Sequence, residues 1–223
     1  MLRWAKVVAF IACLAPLGWL LWGFFGAHPT NMSTWGTHLG ANPIEYITHS
    51  TGNWTLSFLL ITLGVTPVRK LTRQLWLIRF RRMFGLFAFF YGTLHLMTYV
   101  WLDKFFDVHA MLIDVGKRRF ITAGFTGFVL MIPLALTSTR GWIGRLGGRR
   151  WQNLHRLIYV SAIAGVVHYL WLVKADLTKP LEYAYVLGTL LAYRIAVWAV
   201  PKFKNRNHKP AAVKVPGVNV SES

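Results

Sequence analysis

The chain has 223 residues, 55% of them hydrophobic, with 11 tryptophans, a mean hydropathy of +0.42 and a formal net charge of +18 at pH 7. That is too apolar for a water-soluble domain of this length, so an integral membrane protein is expected. The charge does not point to nucleic acid, because Lys and Arg fall in short clusters between apolar runs, and the single cysteine, Cys13, excludes a disulfide framework, a thiolate metal site and a Cys-x-x-C redox pair.

A short basic start, Met1 to Trp4 with Lys6, precedes the apolar run Val7 to Phe25, close to the ~20 residues that cross a hydrocarbon layer. The run is longer than the apolar part of a signal peptide and no convincing small-x-small cleavage site follows, so it is read as a retained first helix. Ala27 to Thr51 is rich in Gly, Pro, Asn and Thr and lacks Lys and Arg; it is predicted to be an outer loop. Gly52 to Val68 is the second span, stopped by Pro67 and by a basic inner loop carrying Arg69, Lys70, Arg73, Arg79, Arg81 and Arg82. Met83 to Leu102 returns outward and ends in a loop of mixed charge, Asp103 to Arg119, where Lys117, Arg118 and Arg119 run against the positive-inside rule. Phe120 to Thr137 is the fourth span and enters an inner loop with Arg140, Arg145, Arg149 and Arg150. The fifth, Trp151 to Val173, is followed by a short outer loop with Lys174 and Lys179, and the sixth is Leu181 to Val200. The polar, basic tail from Pro201 to Ser223 is predicted to be disordered. The expectation is an all-α integral membrane bundle of six transmembrane helices over residues 1–200, a cytoplasmic tail over 201–223, and both termini cytoplasmic.

Three histidines stand inside these spans: His95 on the third, His155 and His168 on the fifth. Ionisable residues at membrane depth point to function, and imidazole is the common nitrogen ligand of haem iron. At 1.5 Å per residue His95 lies roughly 20 Å beyond Arg82 and His168 roughly 27 Å beyond Arg150, which puts both in the outer half of the membrane. His155, close to Arg150, belongs to the inner face. Gly92 and Gly165 each precede an outer histidine by three residues and so share its helix face. They are read as matching walls of a haem slot, clear of side chains that would meet a flat macrocycle. His155 and His168 are turned about 140° apart on an ideal helix, so a straight helix cannot aim both at one neighbour. Either the helix is distorted near Gly165, or His155 serves a second, inner haem, or it belongs to the site of the electron donor. His28, His38 and His109 in outer loops and His208 in the tail are weaker candidates, and His49 is a candidate supporting group at the outer mouth of span two.

The segments THSTGNW (Thr48 to Trp54), LIRFRRMFGL (Leu77 to Leu86), YGTLHLMTY (Tyr91 to Tyr99), LTSTR (Leu136 to Arg140), WQNLHRLIY (Trp151 to Tyr159) and HYLWLVK (His168 to Lys174) cover most of the chain. On them it resembles the ferric-reductase-type transmembrane cytochrome b superfamily, and within it the haem-binding subunits of bacterial periplasmic protein-methionine-sulfoxide reductase systems. The resemblance implies haem b held by His95, His155 and His168, with FMN as a further cofactor. It implies electrons from the quinone pool or a cytosolic flavin reductase, passed to a periplasmic molybdopterin subunit that reduces methionine sulfoxide in oxidised proteins. The chain shows neither a G-x-G-x-x-G or P-loop nucleotide site nor the cytosolic FAD and NADPH domain of the larger members, which favours a subunit. A stand-alone ferric or quinone-linked reductase and, further off, a proton-conducting transporter are the competing functions.

Overall fold

The computed structural model describes residues 2–25 and 39–206 and is helical throughout, with no strand among the described residues. His28, His38 and His208 and most of the proposed tail lie outside them. Six long helices dominate: α1 (Leu2–Phe25), α2 (Pro43–Thr72), α3 (Ile78–Met97), α5 (Arg119–Leu136), α8 (Leu157–Leu172) and α9 (Thr178–Arg206). Three short ones, α4 (Val108–Lys117), α6 (Arg140–Leu146) and α7 (Gly148–Leu154), fill the connections. Three stretches are long and apolar enough to cross a membrane: Arg3–Phe25, Leu75–Asp103 and Arg119–Leu136. Helix α8, with 16 residues, is about 24 Å long and short for a bilayer by itself.

Helix α2 lies along α3 and α5 along α8; α9 packs on α2 and α8, and α1 on α3. The seams close because small residues face each other. Ser161 Oγ donates to the Gly127 carbonyl at 2.7 Å, and a Cβ on Gly127 would stand 3.3 Å from the Ser161 carbonyl oxygen. The core between the pairs is aromatic and aliphatic: Phe58, Leu63, Phe87, Tyr91, Met131, Ala162 and Val166 are all buried. Large apolar residues such as Trp4, Trp19, Leu136 and Ile195 instead face outward, each more than half exposed. An outside this apolar suits lipid, not water.

Four expectations about the elements need correction. The stretch Pro43 to Thr51 is helix, not loop: Asn42 caps α2 by accepting from Glu45 N at 3.3 Å, and Pro43 takes the first position, where a missing N–H costs nothing. Pro67 does not stop α2, which runs on to Thr72. A proline there leaves the Leu63 carbonyl without its helical donor; Arg194 Nη2 supplies one at 3.2 Å. The outer connection Asp103 to Arg119 contains α4, capped by Asp107, which accepts from Ala110 N at 2.9 Å. The fifth segment is not one helix, because it breaks at His155 and Arg156 between α7 and α8. In addition α9 continues past Val200 to Arg206.

A further interruption has a visible cause. The buried Tyr91 hydroxyl donates to the Cys13 carbonyl at 2.8 Å and accepts from Leu17 N at 3.2 Å. It inserts itself between two groups of α1 that would otherwise bond each other, next to Pro16.

Candidate functional site

His95 on α3 and His168 on α8 come together at one end of the bundle, their ring centres 6.0 Å apart and their planes at 78°. Each ring is held in the same way by the helix paired with its own. His95 Nδ1 meets the Thr48 carbonyl on α2 at 2.9 Å; His168 Nδ1 meets the Phe120 carbonyl on α5 at 2.6 Å. Each of those carbonyls stands four residues before a glycine, Gly52 and Gly124 respectively, and the histidine lies over that glycine. A Cβ on Gly52 would come within 3.1 Å of His95 Cε1, and one on Gly124 within 2.6 Å of His168 Nδ1. The unit is thus carbonyl, one helical turn, glycine, with an imidazole laid across it, and it occurs once in each helix pair.

This arrangement fixes the tautomer. A carbonyl only accepts, so each Nδ1 carries the proton and each Nε2 keeps its lone pair. Anchoring of one ring nitrogen by a carbonyl is how metal-ligating histidines are oriented. A ligating imidazole nitrogen stands about 2 Å from its metal ion and the ring centre about 1 Å further, so two on opposite sides of one ion have centres roughly 6 Å apart. The observed separation fits an iron between them. Two neutral imidazoles held in this way are a donor set that would suit the iron of a haem.

Gly92 and Gly165 have other neighbours. A Cβ on Gly92 would meet Met131 Cε at 3.1 Å and Thr55 Cγ2 at 3.4 Å, and one on Gly165 would meet Leu56 Cδ1 at 3.3 Å. Close helix packing accounts for both. His49 is partly exposed beside Glu45, its Nε2 3.8 Å from the carboxylate; Thr48, one residue earlier, is the one that touches His95. His109 lies exposed on α4.

His155 does not join the pair. It caps α7, its ring stacks on Trp151 with centres 3.8 Å apart, and its Nδ1 is 3.1 Å from the Trp151 carbonyl. Its Nε2 is buried with no hydrogen-bond partner. Thirteen residues of helix, about 20 Å, separate it from His168. Nearby Arg194 donates to the Tyr159 hydroxyl and lies 5.0 Å from that ring's centre, and Arg81 stands close enough to interact with both.

The connection between α3 and α5 is tied by charge. Asp114, 9% exposed on α4, receives Lys104 Nζ at 2.7 Å, Arg118 Nε at 3.3 Å and the Tyr99 hydroxyl at 3.3 Å. The Lys104 ammonium bonded to it, with Arg118 beside, holds its carboxyl below the usual carboxylate range. One carboxylate therefore joins the end of the α3 segment to the start of α5, two residues before the carbonyl that orients His168. It also pairs with Arg118, one of the three cations expected to run against the positive-inside rule.

Comparison with known proteins places the chain in a family. Residues 48–166 match the family model described as ferric reductase like transmembrane component. Among curated proteins, the chain is 51% identical over 204 residues to the protein-methionine-sulfoxide reductase heme-binding subunit MsrQ of Herminiimonas arsenicoxydans, covering 91% of this chain and 88% of that one. It is 59% identical over 162 residues to that of Azospira oryzae, covering 72% and 70%, and 48% identical over 204 residues to that of Rhodospirillum rubrum, covering 92% and 91%. The matched region contains the Thr48 carbonyl, His95, Phe120, Gly124 and His155, and the longer alignments extend over most of the chain. The chain belongs to the ferric-reductase-like transmembrane family and, within it, to the heme-binding subunits of protein-methionine-sulfoxide reductase, the MsrQ family.

Proposed function

We propose that the protein is a six-span b-type cytochrome of the bacterial inner membrane, with both termini in the cytoplasm, which passes electrons to a periplasmic molybdopterin-containing subunit that reduces methionine sulfoxide in oxidised proteins. The observation that carries this reading is the pair His95 and His168, their ring centres 6.0 Å apart with both Nδ1 atoms held by carbonyls. Haem b bound there supplies one-electron chemistry between ferrous and ferric iron. The chain's own part is to present two neutral imidazoles of fixed tautomer, to hold them by Thr48 and Phe120, and to keep the outer mouth closed through Asp114. Its name within the family comes from relatives that are called heme-binding subunits of protein-methionine-sulfoxide reductase, which supports the acceptor.

His155 then belongs to a second site at the inner end, as a ligand of another haem or beside the donor. Its distance along the chain from the histidine pair and its stack on Trp151 support that separate role. Electrons come from the quinone pool or from a cytosolic flavin reductase. An FMN phosphate or an acidic donor surface would find counter-charge at Arg81 and the neighbouring basic loop, since among the described residues no salt bridge involves Arg81 or Arg194. The test is stopped-flow reoxidation of the dithionite-reduced protein in liposomes. Addition of the periplasmic subunit with methionine sulfoxide should oxidise the haem, whereas oxidation by ferric chelates alone, with no response to the subunit, would favour a stand-alone reductase.

A further inference from the structure

Helix α4 is built inside out. Its one carboxylate, Asp114, is buried against the bundle, whereas Val108 and Leu112, which share a face one turn apart, are each more than half exposed. A surface helix in contact with water does the reverse. The turn that leads into it adds to the same face. Phe105 and Phe106 have φ of 48° and 63°, a left-handed conformation that bulky side chains rarely adopt. Two backbone bonds hold them there, Phe106 N to the Val100 carbonyl at 2.9 Å and Asp107 N to the Lys104 carbonyl at 2.8 Å. The outcome is two phenyl rings, each more than half exposed, close in sequence to the equally exposed Trp101.

The level at which α4 lies says what covers this face. It connects Leu75–Asp103 to Arg119–Leu136, both long and apolar enough to cross a membrane, so it starts where one span ends and stops where the next begins. Its exposed apolar side continues that of the spans, where Trp101 on the first and Phe125 on the second also face outward. At its far end Lys117 and Arg119 are exposed, and among the described residues no salt bridge involves either. Apolar face, interfacial aromatics and flanking cations together are what a helix lying in the boundary between headgroups and acyl chains presents. We propose that α4 and the Phe105–Phe106 turn form a membrane-surface anchor, seated in the phospholipid leaflet at the histidine end of the bundle, with Lys117 and Arg119 at the level of the lipid phosphates. Through Asp114, which binds Lys104 and Arg118, the anchor holds the end of the α3 segment and the start of α5 at one depth. The anchor requires only that the chain spans a membrane and is independent of what the histidines bind.

The test uses the full, unsubstituted chain in nanodiscs of phosphatidylcholine containing a phospholipid with a diazirine near the top of one acyl chain. Trypsin cuts after Lys104 and Lys117, so Phe105 to Lys117 is released as one peptide. Irradiation should leave lipid adducts on it at Phe105, Phe106, Val108 or Leu112 and none at Asp114. In a second measurement nitroxides are attached to Phe106→Cys and Leu112→Cys, each made together with Cys13→Ser. They should be relaxed more strongly by oxygen than by a water-soluble nickel chelate, as expected about 5–10 Å into the headgroup and acyl boundary, and a nitroxide on Lys117→Cys should show the opposite order. A Phe105 to Lys117 peptide without lipid adducts, or nitroxides on Phe106→Cys and Leu112→Cys that the nickel chelate reaches better than oxygen, would overturn the anchor. Dipolar broadening between nitroxides of two chains in one disc would overturn it in favour of a second copy, and loss of the lipid adducts on adding a water-soluble protein in favour of that protein. Neither readout involves haem, so failure here leaves the functional reading untouched.

Discussion

At the scale of single residues, the site depends on the absence of two side chains. Gly→Ala in a helix interior ordinarily gains up to about 1 kcal/mol, but at Gly124 the new methyl would lie 2.6 Å from His168 Nδ1 and 3.1 Å from its Cγ. The imidazole must then leave the Phe120 carbonyl. Gly124→Ala is expected to lose most of its haem, and Gly52→Ala, with its nearest contact at 3.1 Å, part of it. Gly92→Ala should retain it, because the nearest atom is the flexible end of Met131. The reduced α-band per mole of protein measures all three; equal loss in Gly92→Ala and Gly124→Ala would show that the glycine under the imidazole is not what matters. The sequence makes His95 and His168 legible as a pair through their depth and neighbourhood. It does not reveal Gly52 and Gly124, which stand near the histidines in space while Gly92 and Gly165 stand near them in the chain. The available signal is THSTG and FITAG, a glycine four residues after a carbonyl on the helix preceding each histidine.

Among the elements, boundaries depend on polar groups that periodicity does not register. Proline normally costs a helix interior about 3 kcal/mol, yet α2 runs through Pro67 because Arg194 reaches the carbonyl it orphans. Arg194→Met should therefore destabilise by about 1 to 3 kcal/mol, the cost of an unsatisfied buried carbonyl together with a lost charged donor. In the background of Pro67→Ala, where the backbone N–H returns, the same substitution should cost distinctly less. Unfolding in mixed micelles completes the cycle, and additivity of the two substitutions would sever the link. The outer clamp is a second such case. Its carboxyl titrates below its unfolded value near 3.9, so the stabilisation from Asp114 is complete above that pH and is lost as pH falls through the lower folded value. Hydrogen exchange at the start of α5 should accelerate below about pH 4 in the native protein and show much less pH dependence in Asp114→Asn. An unchanged acid response in that variant would assign the effect to other groups.

For the molecule as a whole, hydropathy and charge suffice to show an all-helical membrane protein; each expected span contains a long helix, and three stretches are long and apolar enough to cross a membrane. What they miss is the break at His155, which parts α7 from α8, and helix α4, whose first turn Asp107 caps. Two helix pairs, α2 with α3 and α5 with α8, each contribute one imidazole to a common centre. The central claim is that His95 and His168 are the two axial ligands of one haem and that His155 stands apart from it. Low-temperature electron paramagnetic resonance on the oxidised protein tests it most directly, together with haem content, in His95→Ala, His168→Ala and His155→Ala. The expected result is that the first two abolish the same low-spin signal while the third leaves it intact. Persistence of that signal in His168→Ala, or its loss in His155→Ala alone, would contradict the account.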